Sequence, residues 1–489
     1  MIQTLNPPLN RVRSRTMNGS PRIIQGGMGA GVSSWRLAGT VSGLGQLGVV
    51  SGTALDQIFA RRLQDGDPGG HMRRGLERFP FQKLVERIWK TYYIPGGKAP
   101  NEPYKTLPMH VKQGPRKMQT LCIVANFVEV FLAREGHDNP VGINYLEKVR
   151  LPHLSSIYGA MLAGVDYILM GAGIPLKIPD VVDRLVNHEP ATYPLAVTGA
   201  QEGDDATITF APRDFMTHGL PPLKRPKFIA IVASNTLATT LVKKTSGRVD
   251  GFVIEGPKAG GHNAPPRGRL QLDEDGNIVY GERDRVDLEK MRALGPPFWL
   301  AGGYGSPEKL REALAAGAEG VQIGTAFAFC AESELRDDYK RALLKKAVDG
   351  EACVSTDSLA SPTGYPFKVA RLEGTLSQED VYAKRARICD LGYLREAYKA
   401  PSGKIGYRCP SEPTEIYIAK GGNVENTIGR KCLCNALLAT VGLPQIRKDE
   451  SVEAGIVTSG DDLTEIARFL PPDSLTYTAA DVIAKMTEA

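Results

Sequence analysis

The sequence predicts a (β/α)8 barrel with a long insertion after its second strand and a C-terminal extension. Three observations carry this. Eight short apolar runs lie between residues 22 and 326, helix-like segments separate the later ones, and most runs end in Gly or Ser. Runs that are apolar on both faces suit a buried parallel sheet. Eight of them alternating with helices suit a closed barrel. A doubly wound open sheet is the structural alternative.

The runs are 22–27 (RIIQGG), 47–52 (LGVVSG), 141–146 (VGINYL) and 165–173 (VDYILMGAG), then 228–234 (FIAIVAS), 249–256 (VDGFVIEG), 297–303 (PFWLAGG) and 320–325 (GVQIGT). Among the intervening helices 306–317 (SPEKLREALAAG) is the clearest. Ser306 and Pro307 open it, Leu310, Ala313 and Leu314 share one face, and Gly317 closes it. Residues 20–334 are therefore the predicted barrel. Residues 53–139 interrupt it with a helical, basic insertion expected over the mouth as a lid. Residues 335–489 form an extension that carries most of the cysteines.

Composition narrows the setting. The 489 residues are 42% hydrophobic and 23% charged, as in a globular protein. No run approaches the ~18 apolar residues of a membrane span. The polar, basic N-terminus has no apolar signal core. With seven cysteines and no such signal, the expected compartment is reducing and cytoplasmic. Net charge is +6, yet residues 61–117 alone hold thirteen Lys or Arg against five Asp or Glu. Such a collar is either a solvated face or an attractor for anionic substrates, cofactor phosphates, an acidic carrier or RNA. A homo-oligomer is also compatible with the sequence.

The strand ends suggest the chemistry. WLAGGYGSPEKL puts Gly302 and Gly303 between a strand and a helix, and VQIGTAF puts Gly324 and Thr325 at the next strand end. Glycine lets the backbone approach a phosphate, and barrels bind phosphate after strands seven and eight. The first strand ends in QGGMGAGVS, with neither a Walker lysine nor a complete dinucleotide fingerprint. Its Gly26, Gly27 and Gly29 leave room for a flat cofactor. His262 follows the sixth strand in EGPKAGGHNAPPRG. A histidine with an ordinary pKa of ~6.5 can act as acid or base at neutral pH. The other six histidines have no comparable setting.

PRIIQGGMGAGVS, VGINYL, GAGIP, AGGH and LAGGYGSPEKLREALAAGAEGVQIGTAF occur in this order. On these motifs residues 20–330 resemble the nitronate monooxygenase family, formerly called 2-nitropropane dioxygenase, which is related to the flavin-dependent enoyl-ACP reductases. The resemblance implies a TIM barrel that binds FMN at its C-terminal face. It assigns Gly27, Met28, Asn144, Gly171, Gly261, Gly302, Gly303, Gln322, Gly324 and Thr325 to the cofactor and His262 to catalysis. Lys258 is expected to add positive charge near the flavin. The sequence departs from the family where Pro257 and Lys258 replace an acidic residue before AGGH, and where NAPPRG follows the histidine. These departures leave the substrate open.

Two reactions follow as expectations. One is oxidation of a small anionic nitronate or nitroalkane with O2, His262 serving as acid or base. The other is reduction of FMN by NAD(P)H and transfer to an acyl-type acceptor. Four cysteines, Cys389, Cys409, Cys432 and Cys434, crowd into the tail. Four thiolates suit Zn2+ or an iron–sulfur cluster, and a neighbouring flavin favours the cluster. Small buried thiols are the alternative.

Overall fold

The computed structural model describes residues 19–216, 219–274 and 276–488; the N-terminal segment read above lies almost wholly outside them. Eight parallel strands form one sheet: β1 (Ile23–Gln25), β2 (Gly48–Ser51), β3 (Val141–Leu146), β4 (Tyr167–Gly171), β5 (Lys227–Val232), β6 (Gly251–Glu255), β7 (Phe298–Ala301) and β8 (Gly320–Ile323). Their spatial order is β1-β8-β7-β6-β5-β4-β3-β2. The seam between β1 and β2 is closed by a parallel bridge, Ile24 to Leu47, and by Gln25 N donating to Leu47 O at 2.9 Å. The sheet is a closed barrel, not an open one.

The apolar runs are explained by alternation. Ile24, Leu47, Val49, Leu169, Ile229, Val253 and Trp299 fill the barrel interior. Their sequence neighbours Ile23, Val50, Ile168, Phe228, Phe252 and Leu300 pack outward under the helices. Trp299 closes the lower end, its indole N–H donating to Pro21 O at 2.7 Å. Helix Pro307–Ala315 starts and stops as its residues dictate: Ser306 Oγ accepts from Lys309 N, and Gly317 turns the chain at φ +85°.

Two features fall outside a simple alternation. Between β2 and β3 the chain forms helices Leu55–Gln64, His71–Glu77 and Gln82–Tyr92 before helix Arg116–Ala133. That last helix packs beside Trp35–Gly43 and His153–Leu162 on the barrel's flank, where a barrel helix sits. At the far end of the chain, helix Ala479–Met486 packs against both Trp35–Gly43 and Pro307–Ala315. It fills the gap beside β8, so the tail crosses the barrel mouth and returns to complete the outer ring.

The tail and the insertion are knitted together. Tyr104 N donates to Gln445 Oε1 and Gln445 Nε2 to Tyr104 O. The buried Arg61 guanidinium donates to Leu443 O at 2.5 Å. Other collar cations are also engaged internally: Arg62 with Glu129, Arg74 with Glu135, and Arg73 over the Trp89 ring. Among the described residues no helix is long and apolar enough to cross a membrane.

Candidate functional site

A cavity of about 400 Å3 opens at the C-terminal ends of the strands. It is lined by Gly27, Met28, Asn144, Gly171, Lys258, Gly261, His262, Gly302, Gly303, Gln322, Gly324 and Thr325, so the strand-end residues singled out in the sequence meet in one place. The barrel dictates this: residues at corresponding strand ends converge on the axis even when they lie far apart in the chain.

The β1 turn is held open by a small polar cluster. Ser33 Oγ accepts from Met28 N and donates to Gly26 O, both at 2.9 Å. A side chain at residue 27 would bring its Cβ within 2.2 Å of Asn144 Oδ1. At the other side Gly302 and Gly303 both have φ near +86°, a region an L side chain rarely adopts. A Cβ on Gly302 would also approach Gly256 O to 2.7 Å.

Three polar atoms of the cavity lining have no partner among the described residues: Asn263 Oδ1, on the glycine–histidine loop, and a pair at the strand ends. Asn144 Oδ1 and Gln322 Oε1 are buried and unbonded among the described residues. A buried acceptor left unsatisfied costs about 1–3 kcal/mol, so an unfilled acceptor pair at the mouth of a cavity is a ligand-binding signature.

The polar groups around His262 form a chain. His262 Nε2 is 2.7 Å from Ser361 Oγ, which is 2.8 Å from Thr363 Oγ1. Lys148 Nζ, 4.5 Å from the centre of the Tyr365 ring, donates to Thr363 Oγ1 at 3.4 Å. The strand Phe367–Ala370 docks beside the loop, with Lys368 N donating to Gly261 O and Asn263 N to Pro366 O. The His262 ring meets Phe367 edge-on at 4.9 Å.

Burial, reinforced by the Lys148 charge, holds the His262 imidazole well below its usual range. The histidine is thus neutral at pH 7, not poised at ~6.5 as the sequence suggested. Burial pushes Lys148 down to about 7 and Glu255 up to about 7, and each charge opposes the other's shift. Glu255 therefore lines the cavity as an ionisable group, with Lys148 behind the Ser361–Thr363 chain as its electrostatic partner. Sequence reasoning passed over both. Their signal was positional: Lys148 follows β3 and Glu255 ends β6, immediately ahead of the glycine–histidine loop. Lys258, by contrast, is exposed, and its side chain lies alongside Gly303.

The tail supplies the rest of the wall, including Tyr393, Leu433, Cys434, Leu437, Ile456 and Asp462. Thr325 Oγ1 donates to Asp462 Oδ1 at 2.5 Å and accepts from Gly460 N at 3.1 Å. Burial raises the Asp462 carboxyl above its ordinary value.

Two other groups bear on the expectations. Cys389, Cys409, Cys432 and Cys434 line one further pocket. Among the described residues, those whose ligating atoms lie within 4.8 Å of one another are Asp56, His110 and Cys122. There His110 Nε2 is 2.9 Å from Asp56 Oδ2, and Tyr393 OH donates to Asp56 Oδ1. That network is internally satisfied, and it gives His110 a role joining the insertion to the tail.

Comparison with known proteins agrees with the motifs. Residues 214–362 match the family model described as nitronate monooxygenase. The chain is 26% identical to the nitronate monooxygenase of Pseudomonas aeruginosa over 247 residues, half of this chain and 62% of that one. It is 27% identical to a 5-hydroxy-7a-methyl-1-oxo-octahydro-1H-indene-4-carboxyl-CoA dehydrogenase of Mycobacterium tuberculosis, over 47% of this chain and 60% of that one. The chain thus spans about 60% of the length of these curated relatives. The solved structure of FabK from Thermotoga maritima overlays 96% of this chain and 91% of its own at 16% identity and a TM-score of 0.47. The matched segment contains the glycine–histidine loop, both phosphate-type turns and Ser361, and over it the chain is similar to the nitronate monooxygenases.

Proposed function

We propose that the chain is an FMN-dependent oxidoreductase. The observation that carries this is the pair of unpartnered oxygens, Asn144 Oδ1 and Gln322 Oε1, facing a cavity whose glycines admit a flat ring. Asn144, Gln322 and the Gly27–Met28 turn would hold the isoalloxazine. The amides of Gly302, Gly303, Gly324 and Thr325 would hold the phosphate. Flavin bound there supplies the electron transfer and, with O2, the oxygenation chemistry. The chain's own residues manage protons and charge. His262, neutral, offers substrate a hydrogen bond, while Ser361 and Thr363 link its far nitrogen to Lys148. Lys148 and Glu255, each brought to about 7 by burial, can each take up or release a proton at physiological pH.

The first substrate reading is a small nitronate, an anion that protonated Lys148 would attract. A second reading has its own support. Much of the cavity wall is aliphatic, with Ile174, Ile231, Leu433, Leu437 and Ile456. This lining suits the chain of an acyl-type acceptor reduced at the expense of NAD(P)H. Anaerobic mixing separates the two. Rapid flavin bleaching with NADH or NADPH selects the reductase, and bleaching with nitronate alone selects the monooxygenase. Protein purified without any bound flavin, and unable to take up added FMN, would defeat both.

A further inference from the structure

We propose that Cys389, Cys409, Cys432 and Cys434 bind an iron–sulfur cluster that forms part of the cavity's wall. Cys409 ends the strand Ile405–Arg408, and Cys432 and Cys434 flank the start of helix Leu433–Thr440. Cys389 lies in the preceding loop, and its thiol hydrogen-bonds to that of Cys409. All four line one pocket and none is in a disulfide. The arrangement is assembled entirely from the tail, so it does not depend on how the barrel binds its own ligand.

The sulfurs lie among hydrogen-bond donors and cations of the kind that metal-bound thiolates use. Asn435 Nδ2 lies 3.5 Å from Cys432 Sγ. Backbone amides also face three of the sulfurs: Asn435 at Cys432, Ser411 at Cys409, and Leu394 and Tyr393 at Cys434. Amide N–H groups aimed at cysteine sulfur stabilise charge on a cluster and tune its potential. Two guanidinium groups complete the shell, Arg395 beside Cys389 and Cys409, and Arg385 beside Cys432. A cluster bound by four thiolates is anionic, and buried cations next to it lower the cost of that charge.

The spacing favours a cluster over a single ion. Zn–S bonds of about 2.3 Å in a tetrahedron put the sulfurs about 3.8 Å apart. No three of these cysteines have sulfurs that all lie within 4.8 Å of one another among the described residues. Ligands spread around several metal atoms need no such convergence. Location gives the cluster its role. Leu394, Leu433 and Cys434 line both this pocket and the large cavity. Binding here would pin two loops of the tail against the barrel mouth and set a redox centre one side chain from the proposed flavin.

The test is metal analysis of the full chain purified without oxygen, with flavin measured separately on the same sample. Iron and acid-labile sulfide in comparable, stoichiometric amounts are expected, with a paramagnetic signal after reduction by dithionite. Cys409→Ser and Cys434→Ser should each lose most of the iron, while Cys353→Ser, at an exposed cysteine outside the pocket, should keep it. Zinc in place of iron overturns the cluster. Wild-type protein with neither metal overturns the site altogether, whether or not the variants fold. Because flavin is measured independently, its absence would defeat the proposed function and leave the metal result standing.

Discussion

Residues 297–325 and residues 361–462 line the same cavity and are built on different principles. The first stretch is strand, glycine turn, helix, strand, glycine turn. Each piece is specified within a dozen residues, and the closed sheet aligns them. The second has two short antiparallel pairings, brief helices and loops, and its position depends on partners elsewhere: Arg61 and Tyr104 in the insertion, Lys148 after β3, Thr325 at β8. The barrel part would supply backbone for binding a cofactor. The tail supplies Ser361, Thr363, Tyr365 and the Leu433, Leu437 and Ile456 part of the aliphatic wall, groups that would shape the reaction. Damage to the barrel should therefore remove the protein, and damage to the tail should remove or redirect its activity.

The largest effect is expected inside the barrel. A Cβ at Gly320 would lie 2.0 Å from the Arg22 carbonyl oxygen, a backbone atom immediately before the adjacent strand β1. Gly320→Val cannot be relieved by a rotamer change and should abolish soluble, folded protein, as measured by yield and far-UV circular dichroism. A variant that folds with a wild-type melting curve would mean the seam is looser than this packing.

Leu433→Ala is the matching lesion in the tail. Leu433 is fully buried and belongs to a small core of its own with Ala360, Phe367, Leu376 and Ile456. Losing it should cost about 2–5 kcal/mol. The contrast lies in what survives: far-UV circular dichroism should stay close to wild type at low temperature while the melting curve shifts or splits. A single transition that moves as a whole would show the tail and barrel to be one cooperative unit.

This contrast also explains what could be read in advance. The strands were legible because interior positions such as Ile24, Val253 and Trp299 and their outward neighbours are all apolar, so each run announces itself locally. The glycine turns were legible because only glycine satisfies φ near +86° at 302 and 303. Lys148 was not legible as a functional residue. Its environment is made by Thr363 and Tyr365, more than two hundred residues away in sequence, and no local pattern encodes that. The same holds for His262. The motif marks its position, but its neutrality comes from burial against Phe367 and Ser361.

Lys148→Met should cut turnover by roughly 100-fold, the scale of one lost acid–base group, with the fold intact. Its pH behaviour makes the attribution specific. In the nitronate reading the cation behind the cavity wall attracts the substrate, so wild-type activity should fall as pH rises through about 7, and the variant's profile should be flat there. Stability should respond in the opposite sense. The folded value of about 7 lies below the ordinary lysine value of 10.5, so between them the unfolded chain binds the extra proton and stability rises with pH. Glu255, raised from 4.5 to about 7, makes stability fall across the acidic window. Melting temperatures measured across both windows should show the upper limb lost in Lys148→Met and the lower limb lost in Glu255→Gln. Unchanged limbs would remove the pair from the mechanism.

Lys258→Ala should have the smallest effect. The sequence marks this lysine because it stands four residues before His262, in the stretch that departs from the family pattern. In the folded chain it is exposed, and the contacts around it run mainly through the main chain: Lys258 O accepts from Asp461 N at 3.1 Å, which the substitution leaves in place. Only the packing of its methylenes alongside Gly303 would be lost. Stability should change by less than about 0.5 kcal/mol, and steady-state turnover should change less than for Lys148→Met by at least tenfold. If Lys258→Ala instead matched Lys148→Met, with the KM for an anionic substrate rising in both, the charge that acts on substrate would come from the barrel's loop and not from the β3 end.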